Sequence, residues 1–264
     1  ITKADSDGNK VKTFYHQGNA TDSTHGEYSD DSSKIGKIYR TEILDSSGNI
    51  YQKVVNKWDK YNLGTGRDFV KLVRSTTLTY DGDSDHKDTT TEYTYDNTYG
   101  NITTKTMWGE VTASDDGSYT DTGSDKSVET VSYTANTTDY IVGLPYQDTT
   151  VDQSSTKVNE TKIYYDTQSL GTVTDGNPTK IEQWKTGSTY INTQNAYNTT
   201  YGIVTSSTDP RGKVTSYSYD SYYLYPASVT DALSRVVSYT YDYSLGKPKQ
   251  MTDQNSFVYQ TTYD

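Results

Sequence analysis

The chain has 264 residues, a formal charge of −11, no cysteine and 28 tyrosines. That balance excludes a nucleic-acid binder, which needs a Lys/Arg stripe, and a disulfide scaffold or thiolate metal site. Nor does any apolar run approach the ~18 residues of a membrane helix. Leu, Ile, Val and Phe make up roughly 16% of residues, a level that with high charge usually means disorder. Tyr takes up the missing apolar role here, because its ring can be buried while its hydroxyl stays bonded or wet. Tyr, Thr and Val favour strands, and the helix formers Ala, Leu and Met are scarce.

In chain order, the opening "ITKADSDGNK" already reads as strand, without an initiator Met or signal peptide, as expected of a segment of something longer. "KIYRTEILDSSGNIYQKVVNKWD", Lys37 to Asp59, reads as a hairpin turning at Ser-Gly-Asn. After Tyr80, "DGDSDHKDTTTE" places Asp81, Asp83, Asp85 and Glu92 at positions 1, 3, 5 and 12 of an EF-hand-like loop, a weak calcium candidate. His86 stands where such a loop needs Gly, and strands flank it, so a solvated hairpin tip is the simpler reading. Between Thr112 and Ser127 the text "TASDDGSYTDTGSDKS" predicts a solvated hairpin tip or loose loop and little else.

From Tyr95 onward a Tyr-Asp pair recurs, first widely spaced and then in strict register. Tyr95-Asp96, Tyr133 and Tyr165-Asp166 lead the irregular copies. Tyr197, Tyr219-Asp220, Tyr241-Asp242 and Tyr263-Asp264 follow one another at 22-residue steps. Aligned on the lead Tyr, the regular copies share Thr-Asp at Asp209, Asp231 and Asp253, within the turns "DPRG", "DALS" and "DQNS". Asp suits such a turn because its carboxylate accepts backbone N–H groups two residues on. Gly100, Gly202 and Gly246 each stand five residues after a lead Tyr, where a positive φ is expected. Pro226, Pro248, "GLP" (Gly143 to Pro145) and "GNP" (Gly176 to Pro178) mark the same corner, Pro fitting the first residue of a strand. Each copy therefore predicts two short strands and two turns. In the second strand Val237, Tyr239 and Tyr241 face one way. One such hairpin cannot hold itself together, so copies must pair laterally, with the lead tyrosines expected to stack as a column.

Chemistry is thinly represented. The three histidines, His16, His25 and His86, lie in polar stretches and read as scattered exposed residues. No Ser or Thr sits in a hydrolase elbow, so enzymatic function is not expected. Trp58, Trp108 and Trp184 alternate with charges, which reads as half-buried packing, or as a sugar- or partner-binding surface.

These features resemble the YD (Rhs) repeats of bacterial rearrangement hotspot proteins, of teneurins and of insecticidal toxin-complex B and C components. The resemblance rests on "TYDNTYGNIT", "YDTQSLG", "DPRGKVTSYSYD", "DALSRVVSYTYD" and "DQNSFVYQTTYD". Upstream, "VKTFYHQG", "SKIGKIYRTEILDSSG" and "YIVGLP" are similar to the lead-in of toxin-complex B components. "YNTTYG" lacks the Asp and "YDSYYLYP" lacks the Gly. The resemblance implies an all-β, antiparallel YD-repeat ribbon winding into a solenoid or shell segment with almost no helix. It implies a lead-in region over 1–94 and repeats over 95–264, irregular to 196 and regular from 197. A secreted or cell-surface setting is implied, with an enclosed toxin polypeptide or an adjoining shell component as partner. Toxin-type members also carry a self-cleaving aspartyl site. "DPRG" at Asp209 shares letters with it but occupies the turn column. The alternative function is an adhesin using its aromatic surface for glycan or protein contact.

Overall fold

The structure, a computed structural model, describes every residue except Asp81, Asp83 and Asp264. Among the described residues, 19 strands form one antiparallel sheet, accompanied by two single-turn 3-10 helices and no α-helix. The chain divides into two compact units, Ile1–Ser132 with Asp148–Asn159, and Tyr133–Gln147 with Glu160–Asp264.

In the first unit, β1 (Thr2–Ala4), β2 (Lys10–Tyr15), β3 (Ile38–Leu44), β4 (Ile50–Asn62), β5 (Asp68–Thr79), β6 (Lys87–Tyr95) and β7 (Ile102–Ala113) each pair with the next. The far end of β7 carries β8 (Tyr119–Asp121) and its near end carries β9 (Ser127–Tyr133). The predicted hairpin at Lys37–Asp59 is β3–β4, turning through Asp45–Asn49. The core lies on one face of β4, β5 and β7, where Val55, Leu78, Val111 and Ala113 are buried and Tyr80, Trp108 and Tyr119 pack against the cluster of Leu78, Val111 and Ala113.

The segment predicted as a loose tip is part of the cover of that core. The Thr76 hydroxyl donates to the Gly117 carbonyl, and the Tyr28 hydroxyl donates to the Asp116 carbonyl. A Cβ on Gly117 would stand 2.8 Å from Val55. Arg40, 2% exposed, donates to Glu42 and to both oxygens of Asp115, and Lys53 pairs with Asp115 as well. Polar composition misleads here because buried basic side chains supply these acids with partners.

In the second unit, β12 (Pro178–Thr186), β13 (Thr189–Asn198), β14 (Ile203–Thr208), β15 (Val214–Tyr219), β16 (Pro226–Thr230), β17 (Val236–Asp242), β18 (Lys247–Thr252) and β19 (Val258–Gln260) pair in sequence order. The strands β10 (Pro145–Val151) and β11 (Lys157–Tyr165) are divided between the two units. From Pro178 to Tyr263 no described residue is buried; the rings and valines are half-buried at most. This stretch is a sheet without a covering layer of its own, so lateral contacts must hold its register.

Two turn types alternate along it. The tight turn begins at Asp209, Asp231 and Asp253, whose Oδ1 accepts the N–H groups two and four residues on. The fourth residue of each takes a positive φ: Gly212 +75°, Ser234 +62° and Ser256 +68°. "DPRG" at Asp209 is therefore a turn. Asp5, Asp45 and Asp152 build the same turn in "DSDGN", "DSSGN" and "DQSST".

Candidate functional site

The recurrent Tyr-Asp pair forms a repeated three-strand staple. Tyr219 ends β15 and pairs through its backbone with Pro226, at the start of β16, across a register shift between Ser218 and Tyr219. Its hydroxyl reaches the other way and donates to the Val204 carbonyl of β14 at 2.8 Å. Tyr241 repeats this with Pro248 on one side and the Pro226 carbonyl, 3.0 Å, on the other. The Tyr263 hydroxyl donates to the Pro248 carbonyl at 2.7 Å. In all three the acceptor lies 15 residues upstream. Tyr197 and Tyr165 donate to the carbonyls of Pro178 and Pro145, and Tyr95 to that of Leu72. Register shifts stand directly before Tyr95, Tyr165 and Tyr197 too. A bulge bends its strand and re-aims the side chain, here back toward the preceding strand.

The acceptor is chosen by where the ladder stops. The β16–β17 register runs only from Ser228↔Ser238 to Thr230↔Val236, so the Pro226 carbonyl lies beyond the last pair, and the tyrosine supplies a donor for it. Burial raises the hydroxyl pKa of Tyr95, Tyr165, Tyr197 and Tyr241, which keeps these groups protonated as donors.

The expected column of stacked lead tyrosines is not formed. Lead tyrosines sit on every second strand, roughly 9.6 Å apart at ~4.8 Å per strand, beyond the ~4.5–7 Å of ring contacts. Rings stack between columns instead: Tyr225 on Tyr241 at 4.6 Å and Tyr201 on Tyr223 at 4.3 Å.

The residue after each lead Tyr ties the longer turn. Asp96 accepts the N–H groups of Thr98 and Tyr99, Asn198 those of Thr200 and Tyr201, and Asp242 those of Ser244 and Leu245. Asp220 accepts from Tyr222 and Leu224, and from the Tyr243 hydroxyl of the next copy. Asp166 faces four N–H groups, of Thr174, Asp175, Gly176 and Asn177. Burial pushes its pKa up, but those donors outweigh it and bring the carboxyl down to about 2. Gly100, Gly202 and Gly246 take φ of +84°, +65° and +65°. Asp264 lies outside the described residues.

Two further strand ends share the backbone part of this corner, with other residues in the Asp place. Tyr133 ends β9, and the next amide, Thr134, donates to the Leu144 carbonyl just before β10. Tyr15 ends β2, shifts register and pairs with Ile38, and the His16 amide donates to the Lys37 carbonyl. His16 was expected to be exposed; it is 1% exposed, with its ring edge on Tyr39. His25 and His86 are partly exposed and pair with Asp22 and Asp88.

The second half of the EF-hand-like candidate, from Lys87 to Glu92, is strand and not loop. Asp81 and Asp83 lie outside the described residues, and Asp85 precedes β6. Glu92 is six residues into β6, opposite Arg74, and accepts from Trp108 Nε1. Five strand steps of ~3.3 Å put it about 17 Å beyond the start of the strand, too far to close around an ion held at ~2.3–2.6 Å. Trp58, Trp108 and Trp184 are all half-buried, each indole N–H bonded within its own hairpin region.

No family model matches the chain, and no curated protein matches it. Solved structures do. The crystal structure of TcdB2-TccC3 superposes with a TM-score of 0.74 at 14% identity, and that of TcdB2-TccC3-TEV with 0.73 at 13%. The fold is similar to a segment of TcdB2-TccC3. Each match covers 97% of this chain and 19% of the matched one, so the chain spans about a fifth of their length. No helix among the described residues is long and apolar enough to cross a membrane.

Proposed function

We propose that this chain is a wall segment of a YD-repeat shell that encloses or presents another polypeptide, and that it acts sterically rather than as a catalyst. The observation that carries the reading is the staple repeated at a constant 15-residue reach by Tyr219, Tyr241 and Tyr263. A hydrogen bond from each copy to the strand behind it specifies lateral extension, and lateral extension is what a wall requires. The sequence resemblance to toxin-complex B and C components and the fold match over nearly the whole chain support the same reading. The setting that follows is secreted or cell-surface, with the enclosed polypeptide or an adjoining shell component as partner. The test is protease protection of the parent protein: a polypeptide encoded downstream should resist digestion while the repeats are intact and become sensitive when they are opened. A parent reading frame with neither further repeats nor such a polypeptide would count against it.

A second reading, an adhesive surface, is favoured by the stacked Tyr201–Tyr223 pair, 54% and 42% exposed. Glycan-array or pull-down binding that disappears on Tyr223→Ala or Trp184→Ala supports it. Binding that both variants retain removes it.

A further inference from the structure

His16 occupies the place where other copies carry the turn-tying carboxylate, and an imidazole cannot accept the two N–H groups that such a carboxylate takes. In this hairpin those groups belong to Gly18 and Asn19, two and three residues on. Both donate to Oδ2 of Asp30, at 2.7 and 3.0 Å, a residue brought back by the long loop 16–37. The other oxygen of Asp30 is thereby aimed at His16, 3.0 Å from Nδ1. Glu27 is held the same way: its Oε2 accepts the Asp22 N–H at 2.5 Å, and its Oε1 stands 2.9 Å from Nδ1.

Side-chain exposures are 0% for His16, 3% for Glu27 and 0% for Asp30. The three facing atoms lie within 4.8 Å of one another. Nδ1 offers at most one proton to the two carboxylate oxygens that face it. Glu27 Oε1 is left buried without a hydrogen-bond donor, and so is Nε2 on the far side of the ring. No Lys or Arg among the described residues pairs with either carboxylate. The buried Lys34 acts on Asp30 only through its charge, its ammonium being spent on the carbonyls of Tyr28 and Ser29. Two carboxylates taken out of water with one imidazole between them lack positive charge.

We propose that His16 Nδ1, Glu27 Oε1 and Asp30 Oδ1 bind one first-row divalent cation, zinc before manganese, which clips loop 16–37 to the end of β2. Nitrogen and oxygen donors sit ~2.0–2.2 Å from such an ion, so neighbouring donors of a tetrahedral site lie about 3.4 Å apart. The 2.9 and 3.0 Å separations are within about 0.5 Å of that spacing. One imidazole with two carboxylates suits zinc or manganese, and too few oxygens converge for calcium. Backbone N–H groups on the outer oxygen of each carboxylate orient the donors, as outer-sphere partners do in metal sites.

The experiment uses the full chain, stripped with chelator, then given zinc, manganese or calcium alone. Metal analysis after desalting should find one zinc per chain. At a hundredfold excess over Kd, zinc should raise Tm by about 5–10 °C. Calcium should do neither. Cobalt in place of zinc should give visible absorption bands that report the donor set directly. Glu27→Gln and Asp30→Asn keep shape and should fold while losing the stoichiometric zinc and the Tm shift. A folded wild-type chain that retains no metal and shows no shift overturns the proposal. Zinc that remains bound in the folded double variant also overturns it, since that metal sits elsewhere.

Discussion

Replacing the lead tyrosines by phenylalanine, one at a time, isolates the hydroxyl from the ring. At Tyr241 the change removes one 3.0 Å bond to the Pro226 carbonyl and leaves the ring on Tyr225. The net worth of such a bond is about 0.5–1.5 kcal/mol, because water competes for both partners in the unfolded chain. Tyr219 and Tyr241 are half-buried, so about 0.5–1 kcal/mol is expected for each. Tyr165 is 5% exposed, and its acceptor, the Pro145 carbonyl, is harder for water to reach once the hydroxyl is gone. About 1.5 kcal/mol is expected there. Tyr219→Phe combined with Tyr241→Phe should cost the sum to within about 0.5 kcal/mol, since the two hydroxyls bond different carbonyls. Urea midpoints at unchanged m-value are the assay, with Tyr259→Phe, 53% exposed, as a reference near zero. If all the lead substitutions match Tyr259→Phe, the hydroxyl staple is not what holds neighbouring strands, and the reasoning fails.

Other perturbations address the turns and the packed loops. Gly212 has φ +75° and open space where a Cβ would go, so Gly212→Ala should cost about 1–2 kcal/mol by backbone strain alone, and a urea midpoint that does not move refutes the turn assignment. Asp166 has a depressed folded pKa, so its contribution is complete above the unfolded value near 3.8 and is lost as pH falls through about 2. Asp166→Asn should remove the part of the acid-induced loss in that window, about 1 kcal/mol once solvent screening is allowed for, and an unchanged pH–Tm profile would exclude this role. Arg40→Leu strands Glu42, 6% exposed, without its main partner and should cost about 3 kcal/mol in thermal or urea unfolding.

How legible all this is in the sequence varies with the physics at each place. Strand, turn and corner are readable over 197–264 because each depends on local chemistry: Asp with its own turn N–H groups, Gly where φ is positive, Pro where a strand starts. The destination of the tyrosine hydroxyl is not readable. It is a carbonyl 15 residues back, selected by the end of a hydrogen-bond ladder that exists only after pairing. The absence of ring-on-ring columns follows from strand spacing alone, since a lead Tyr on every second strand is two inter-strand steps from the next. The copies at Tyr15 and Tyr133 lack the Asp that marks the others, although "YHQG" and "YIVGLP" carry their glycines. The cluster at His16 is hidden for a further reason. Its carboxylates come from 11 and 14 residues downstream in a loop whose composition looks wholly solvated.

The first unit and the stretch 178–263 also answer differently to the loss of apolar bulk, and that contrast can be tested. Leu78 is fully buried in a cluster with Val111 and Ala113, so Leu78→Ala should cost about 3–4 kcal/mol, the usual sum of lost burial and an unfilled cavity. Val229 and Val237 face each other across β16 and β17 and are only half-buried, so alanine at either should cost about 1 kcal/mol. Over residues 178–263 the sensitive positions should instead be the tyrosines, turn aspartates and positive-φ glycines that fix lateral register. No described side chain of that segment is fully buried, unlike the core of an ordinary two-layer domain. If Val237→Ala proves as damaging as Leu78→Ala in urea unfolding of the same chain, those strands have a buried layer after all, and the case for a one-layer wall collapses.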